Sequence, residues 1–326
     1  ESALARVASG EVRQVTQLLL DPARVRIWPG NARTYAHLSE ENCGELIDSI
    51  VAEGGQKVPA VVRRVDGDPG HEFEVIAGTR RHWSISWLRA HSYPDMQFVA
   101  QVAQLDDEAA FRLADLENRA RADVSDLERA RNYLDALKAH YGNHQTRMAE
   151  RLKLSKGWLS KMLKVATIPD AVIAAFASPG DVQLKPAYTL AQALDDKDMA
   201  KAITAMARQV AKEQAARREA GAPPSPATDV LRRLLAALLH DIGKPATRRF
   251  EDGGGVSFHH HELVGAKMTR KRLRALRFDK ETIKQVSRLV ELHLRFHGYG
   301  NGEWTDSAVR RYVTDAGPLL PRLHLL

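Results

Sequence analysis

The chain has 326 residues, 44% of them hydrophobic and 27% charged. That balance suits two or three soluble cores, and no apolar run approaches the ~18 residues of a membrane span. A single cysteine, Cys43, excludes internal disulfides and favours a reducing, cytoplasmic compartment. The net charge of +7 sits unevenly: residues 223–326 hold 18 Lys and Arg against 11 Asp and Glu, while residues 1–222 hold 30 of each, so bulk charge argues nothing for nucleic-acid binding by the first two thirds.

The opening ESALARVASGEVRQV lacks the basic-then-apolar layout of a secretion signal, and a start at Glu1 suggests that the N-terminus lies upstream. Residues 40–53 repeat Leu46, Ile47, Ile50 and Val51 at helical spacing. KVPAVVRRV and EFEVIAG read as two strands joined by the turn-rich DGDPGH. Residues 79–90 read as a helix, MQFVAQVAQL as a third strand, and from Asp106 to about Ala220 the period is helical. AGAPPSPATD, with three prolines, is the clearest linker. The expected organisation is an α+β module over 1–105, an all-α helix-turn-helix domain over 106–220, a linker at 221–228, and an all-α domain over 229–326.

EVIAG followed by TRRHW places Gly78, Thr79, Arg80 and Arg81 where a strand ends and a helix begins. Free backbone amides, the helix dipole and two guanidiniums there suit an anion, phosphate above all. Pairing of either arginine with Glu72 or Glu74 is the alternative. About forty residues on, LENRARADVSDLERA offers Glu117 and Asn118 as oxygen ligands for Mg²⁺, with Arg121 one turn later. A carboxylate beside an arginine suits a nucleotide triphosphate better than a duplex backbone, which repels carboxylates.

Further on, NHQTRMAERLKLSKGWLSKMLKVATIP contains two short helices broken at KLS, with Met148, Ala149, Leu152, Leu154, Leu159 and Leu163 available for their seam and Ser155 as an N-cap. Lys156, Gly157, Ser160 and Lys161 lie near the outward N-terminal part of the second helix, the part that enters a major groove in such units, and with Ser155 before it and Arg147 on the first helix they are the DNA-binding candidates. Two bundle helices with a solvated basic face remain the alternative.

The order GxRR, ENxxRxDxxxLE, helix-turn-helix resembles the ParB family of segregation proteins, particularly its RepB-like plasmid branch, over about residues 12–215. VRIWPGNARTY, with Asn31 and Arg33, is similar to the family's first segment. EGGQKVPAVVRR matches the next through Gly55, Gln56 and Pro59, although Lys57 and Val58 separate Gln56 from Pro59 where many relatives have no insertion. The resemblance implies that Gly55, Gln56, Gly78, Thr79, Arg80, Arg81, Glu117, Asn118 and Arg121 hold CTP and Mg²⁺, with Glu117 and Asn118 serving slow CTP hydrolysis. It also implies a homodimeric clamp on double-stranded DNA at a centromere-like site, a ParA-type ATPase partner, and a cytoplasmic, nucleoid-associated life without membrane.

After the linker, LLAALLHDIGKPATRRF ends an apolar helix in His240 and Asp241, a nitrogen and a carboxylate suited to a divalent metal. With FHHHELVGAKM and VELHLRFHGYG, residues 228–326 resemble HD-domain phosphohydrolases, most closely the HD region of bacterial CCA-adding tRNA nucleotidyltransferases. That implies His240, Asp241, His261 and His293 as ligands of a divalent transition metal. The set is partial: no histidine lies between His144 and His240, and the aspartate the pattern needs on a later helix is missing, Asp306 and Asp315 being poorly placed for it. The alternative reading of the whole chain is a metal-dependent phosphohydrolase acting on nucleotides or RNA ends, or a fusion whose HD part is inactive.

Overall fold

The computed structural model describes residues 17–32, 35–119, 124–295 and 305–324. The chain forms two compact units, one of Glu1–Val124 with Arg131–Leu159 and one of Ser125–Ala130 with Ser160–Leu326.

The first unit is built on a mixed five-stranded sheet from β1 (Gln17–Leu20), β2 (Val25–Ile27), β3 (Ala60–Arg64), β4 (Phe73–Ala77) and β5 (Phe98–Val102). Its strand order is β1-β5-β3-β4-β2. The pairs β1–β5 and β3–β4 are antiparallel, and β3–β5 and β2–β4 are parallel. Every residue of β4 is buried, as a strand covered on both faces requires. Two helices, α1 (Glu40–Ala52) and α2 (Thr79–His91), contribute Cys43, Ile47, Ile50, Ile85 and Leu88 to one core with Val62, Val75 and Phe98. Helix α1 starts at Ser39 through a reciprocal box with Asn42, which satisfies two otherwise orphaned amides. The three strands and two helices expected from the sequence are present. Strands β1 and β2 are additions to that expectation: four and three residues around Pro22 are too few for alternation to register.

Helices α3 (Asp107–Arg119), α4 (Asp126–Tyr141), α5 (Gln145–Leu152) and α6 (Lys156–Val165) follow. Two carboxylates tie the first three of them together. Glu108 accepts from Arg112, Arg151 and the Tyr141 hydroxyl. Buried Asp115 pairs with Arg119 and accepts the Tyr133 hydroxyl at 2.7 Å. Burial first, and the neighbouring Asp115 charge second, push the Tyr133 phenol well above its ordinary value, so it stays a donor.

Among the described residues the second unit is helical apart from one short hairpin. It continues through α7 (Asp170–Ile173), α8 (Leu184–Ala193), α9 (Lys197–Glu219), α10 (Ala227–Leu239) and α11 (Lys244–Thr247). The hairpin of β6 (Arg249–Phe250) and β7 (Val256–Ser257) precedes α12 (His261–Ala275), α13 (Lys280–Leu292), α14 (Asp306–Ala316) and α15 (Leu320–Leu323). Leu235, Leu239, Leu273, Val286, Leu289 and Tyr312 share its core. The proline-rich link between α9 and α10 is pinned: the Gln214 amide donates to Ser225 O and accepts from Ser225 N, and Arg217 Nε donates to Pro223 O. Among the described residues no helix is long and apolar enough to cross a membrane.

Candidate functional site

In the first unit the candidate residues gather where β4 passes into α2. Gly78 is the N-cap of α2 with φ 109°, a left-handed conformation that favours glycine. A Cβ there would also sit 2.7 Å from the Ala60 Cβ, so both backbone angle and space demand glycine. Thr79 and Arg81 are buried directly after it, and Arg80 is half-buried. Arg81 spans three motifs: Nη1 donates to Val58 O at 3.2 Å and Pro59 O at 2.5 Å, and Nη2 pairs with Glu117 Oε1 on α3 at 2.7 Å. Arg80 Nη2 donates to Asn42 O in the first turn of α1 at 2.7 Å.

The two glutamates weighed as alternative partners are engaged elsewhere. Glu72 pairs with Arg24, and buried Glu74 is held between Arg26 and Arg63. Glu117 and Asn118 sit side by side near the end of α3. Arg33 and Arg121 lie outside the described residues.

Gln56 has another employment. Its amide donates to Val58 O and Val99 O and accepts from Val99 N, which fastens the Gly54–Gly55 loop to β5. Gly55 and Gln56 border a hollow of about 520 Å³ with Leu19, Tyr93 and Met96, and its lining includes none of Arg80, Arg81 or Glu117.

Sequence reasoning does not single out Arg119. It pairs with Asp115 and donates from Nη1 to Leu152 O, the last residue of α5, at 2.9 Å. Two residues before it on α3, Glu117 holds Arg81, so one helix joins the anion-type turn to the first helix of the helix-turn-helix. A backbone acceptor leaves no trace in a sequence, and only the Asp115–Arg119 spacing hints at the pair.

Helix α5 closes at Lys153 in the left-handed region, and the Ser155 Oγ accepts the Trp158 amide at 3.5 Å as the expected cap of α6. Met148, Ala149, Leu152 and Leu159 are buried. Arg147, Ser155, Lys156 and Gly157 are exposed, as are Ser160 and Lys161 farther along α6. Lys156 Nζ lies 3.1 Å from Glu150, an exposed pair that competes weakly with a phosphate.

The second unit assembles a different constellation. Asp241 follows the C-terminus of α10, His261 opens α12 and His293 follows α13, and one ligand atom from each lies within 4.8 Å of the others. Gly243 permits this approach: a Cβ there would fall 2.2 Å from His261 O. The Nδ1–H groups of His240, His261 and His293 donate to the carbonyls of Ala237, Phe258 and Val290, at 2.8, 2.8 and 2.6 Å. Each bond fixes the ring and directs an Nε2 lone pair inward. The Nε2 atoms of His261 and His293 are buried without a hydrogen bond, 3.4 and 3.8 Å from Asp241 Oδ1. His240 stands beside them, its Nε2 3.3 Å from Asp241 Oδ2 and its ring centroid 5.4 Å from that of His293.

Burial first, and the adjacent His240 and His261 next, hold the His293 pKa below its ordinary value. Burial works to raise the Asp241 carboxyl, but the Lys244 ammonium and His240 outweigh it and hold it below the usual range. Neutral imidazoles with lone pairs aimed at a carboxylate repel it unless a cation stands between, and two His nitrogens with a carboxylate suit a divalent transition metal. Lys244, whose Nζ bonds Asp241 Oδ2 at 2.7 Å, is a further member that the motif alone does not reveal; its position three residues after Asp241 is the available signal. Asp315 is engaged by Arg295.

Residues 7–119 match the ParB N-terminal domain. Residues 124–198 match a centromere-binding protein HTH domain, and residues 197–318 match an HD domain. The chain is similar to protein SopB of Escherichia coli O157:H7, 29% identical over 173 residues, 53% of this chain and 50% of SopB. It is 49% identical over 61 residues to the CC-adding tRNA nucleotidyltransferase of Thermus thermophilus, 18% of this chain and 14% of that enzyme. A crystal structure of the C-terminally truncated chromosome-partitioning protein ParB from Caulobacter crescentus, complexed to the centromeric parS site, aligns with a TM-score of 0.37 and 24% identity, covering 60% of this chain and 97% of that one. The chain thus spans half of SopB and a smaller share of the nucleotidyltransferase.

Proposed function

We propose that this chain, which joins a ParB-type N-terminal domain and a centromere-binding type of helix-turn-helix to an HD domain, is a CTP-dependent DNA clamp for plasmid or chromosome partition. It binds a centromere-like duplex site as a homodimer that a ParA-type ATPase acts upon. The observation that carries the reading is the Arg81–Glu117 contact, which unites the Gly78–Arg81 turn, the Val58–Pro59 segment and the α3 motif.

In this reading Gly78 and Thr79 present the amides of the first turn of α2 to the triphosphate. Arg80 and Arg81 exchange protein oxygens for phosphate oxygens, Glu117 is released with Asn118 toward Mg²⁺, and Arg121 serves the γ-phosphate. Mg²⁺, when bound, neutralises phosphate charge and aids slow hydrolysis. Movement of Glu117 is passed along α3 to Arg119 and the Leu152 carbonyl, which couples nucleotide to the exposed Arg147, Ser155, Lys156, Gly157, Ser160 and Lys161. Amine-reactive crosslinking of the full chain tests the clamp: covalent dimer increases when CTP and site DNA are present together. Equal yields with CTP, with ATP and without nucleotide defeat it.

A second site is favoured by one observation, the two buried Nε2 atoms without hydrogen bonds. We infer that Asp241, His261 and His293, with His240 alongside, hold a divalent transition metal. When bound, the metal supplies a Lewis acid and an activated water, while the chain's own part is to orient three imidazoles through backbone carbonyls and place Lys244 next to Asp241. A phosphohydrolase acting on nucleotides or RNA ends is the activity this arrangement suits. Metal analysis of purified protein tests it: about one ion per chain, lost in His293→Ala, supports the site, and no retained metal in the parent protein removes it.

A further inference from the structure

We propose that the groove bordered by α12 and α13 is a second, sequence-independent binding surface for the phosphodiester backbone of duplex DNA. The groove, about 950 Å³, is lined by Arg270, Arg274, Lys280, Lys284 and Arg288. Its two carboxylates are already engaged. Glu291 is shared by Arg270 and Arg288, and Glu281 accepts from Gln285. Arg274, Lys280 and Lys284 are left exposed with no side-chain partner among the described residues.

An ordinary solvated helix face intersperses opposite charges that satisfy one another at four-residue spacing. Here Arg270 and Arg274 on one helix, and Lys280, Lys284 and Arg288 on the other, form two like-charged rows whose members rise about 6 Å apart. A concave wall focuses the potential of such rows. The whole chain's excess of positive charge also lies within residues 223–326, so this unit, rather than the one carrying most of the nucleotide candidates, has charge left over for a polyanion. The one aromatic lining the groove, Phe278, is packed against the core of the unit, and the exposed guanidinium and ammonium groups around it suit a regular duplex backbone better than unstacked bases. The choice of DNA as the polyanion rests on the partition reading above; the cation geometry does not.

The test compares two variants of the full chain, Arg274→Gln/Lys280→Gln/Lys284→Gln and Lys156→Ala/Lys161→Ala, by fluorescence anisotropy across a salt series. The probes are a duplex DNA of arbitrary sequence, the same duplex carrying a centromere-like site, and a single-stranded RNA. All three glutamines lie on exposed positions, and circular dichroism checks helix content. Loss of about 0.9 in the slope of log K against log salt is expected for each phosphate contact removed, about 2–3 in all. Affinity for arbitrary duplex at ~100 mM salt should fall more than ten-fold with the groove variant. An unchanged slope overturns the proposal, as does a loss confined to the RNA probe. If only the groove variant weakens binding, the helix-turn-helix reading fails and the groove stands; if only the Lys156/Lys161 variant does, the reverse holds.

Discussion

The Arg81–Glu117 cluster and the Asp241–His261–His293 cluster are both gatherings of ionisable side chains, yet they are prepared in opposite ways. Arg81 is held by two carbonyls and a carboxylate. His261 and His293 keep buried nitrogens without hydrogen bonds. A site whose charges satisfy one another is stable empty and must trade partners to bind, so its affinity is a difference between two sets of bonds. A site with lone pairs aimed at a carboxylate is strained until a cation arrives, and binding there adds directly to stability. The partial ligand set apparent from sequence thus coexists with a preorganised triad, because the carbonyls of Ala237, Phe258 and Val290 that orient the rings carry no side-chain signature.

The largest expected effect breaks the metal side of this contrast. His261→Ala or His293→Ala removes a ligand and should lower affinity beyond the ~10–100-fold that loss of an outer hydrogen-bond partner typically costs. Mass spectrometry of metal content checks it. At metal concentrations of about 100 Kd the parent protein should gain about 2.7 kcal/mol, read as a rise in one thermal transition that His293→Ala lacks.

Next in size is Arg81. Arg81→Ala removes the cation from Glu117 and a donor from the Pro59 carbonyl, and should destabilise the first unit by about 3 kcal/mol in chemical denaturation. Arg81→Lys recovers little, since one ammonium cannot reproduce the planar fork. The double variant Arg81→Ala/Glu117→Ala should cost less than the sum of the singles, with a coupling of about 1–3 kcal/mol. Additivity would show that the two side chains do not act as a unit.

Arg119→Ala leaves Arg81 in place and cuts the bond to Leu152 O together with the pair to buried Asp115. Loss of a charge-assisted bond to a carbonyl is worth about 1.5–3 kcal/mol. If α3 couples nucleotide to DNA, CTP should alter affinity for a centromere-like duplex less in this variant than in the parent, by fluorescence anisotropy.

The smallest effect is titration of His82. Its ring nitrogens lie 2.9 Å from the Tyr35 hydroxyl and 3.0 Å from Pro22 O, and burial holds its pKa below the ordinary 6.5. The folded state therefore resists a proton that the unfolded chain takes up. Stability is fully present above pH about 6.5 and falls as pH drops below it, by at most about 1.4 kcal/mol per pH unit for this group. Denaturation of His82→Gln should show a flatter pH dependence than the parent.

Much of this was legible in the sequence where a local rule applied. The helical spacing around Ile47 and Ile50, the run of β4, the Ser155 cap and the glycine at 78 each follow from period or backbone angle. Asp241 is legible from its place beside His240 at a helix end and His261 and His293 from resemblance, and the fold brings the three together. What escaped depends on distant backbone. Strands β1 and β2 are recognisable only through their pairing with β5 and β4. The commitment of Gln56 to Val99, of Arg80 to Asn42 O and of Arg119 to Leu152 O uses main-chain atoms that every residue carries. Side-chain spacing cannot reveal such contacts.

Calorimetric titration of the full chain with CTP, ATP, GTP and UTP in the presence of Mg²⁺ decides whether the Arg81 cluster is a cytidine triphosphate site. CTP should bind at least about ten-fold more tightly than the others, a difference of about 1.4 kcal/mol, and Arg81→Ala should abolish the preference. Equal affinities for all four nucleotides, or CTP binding that survives Arg81→Ala unchanged, would contradict that assignment.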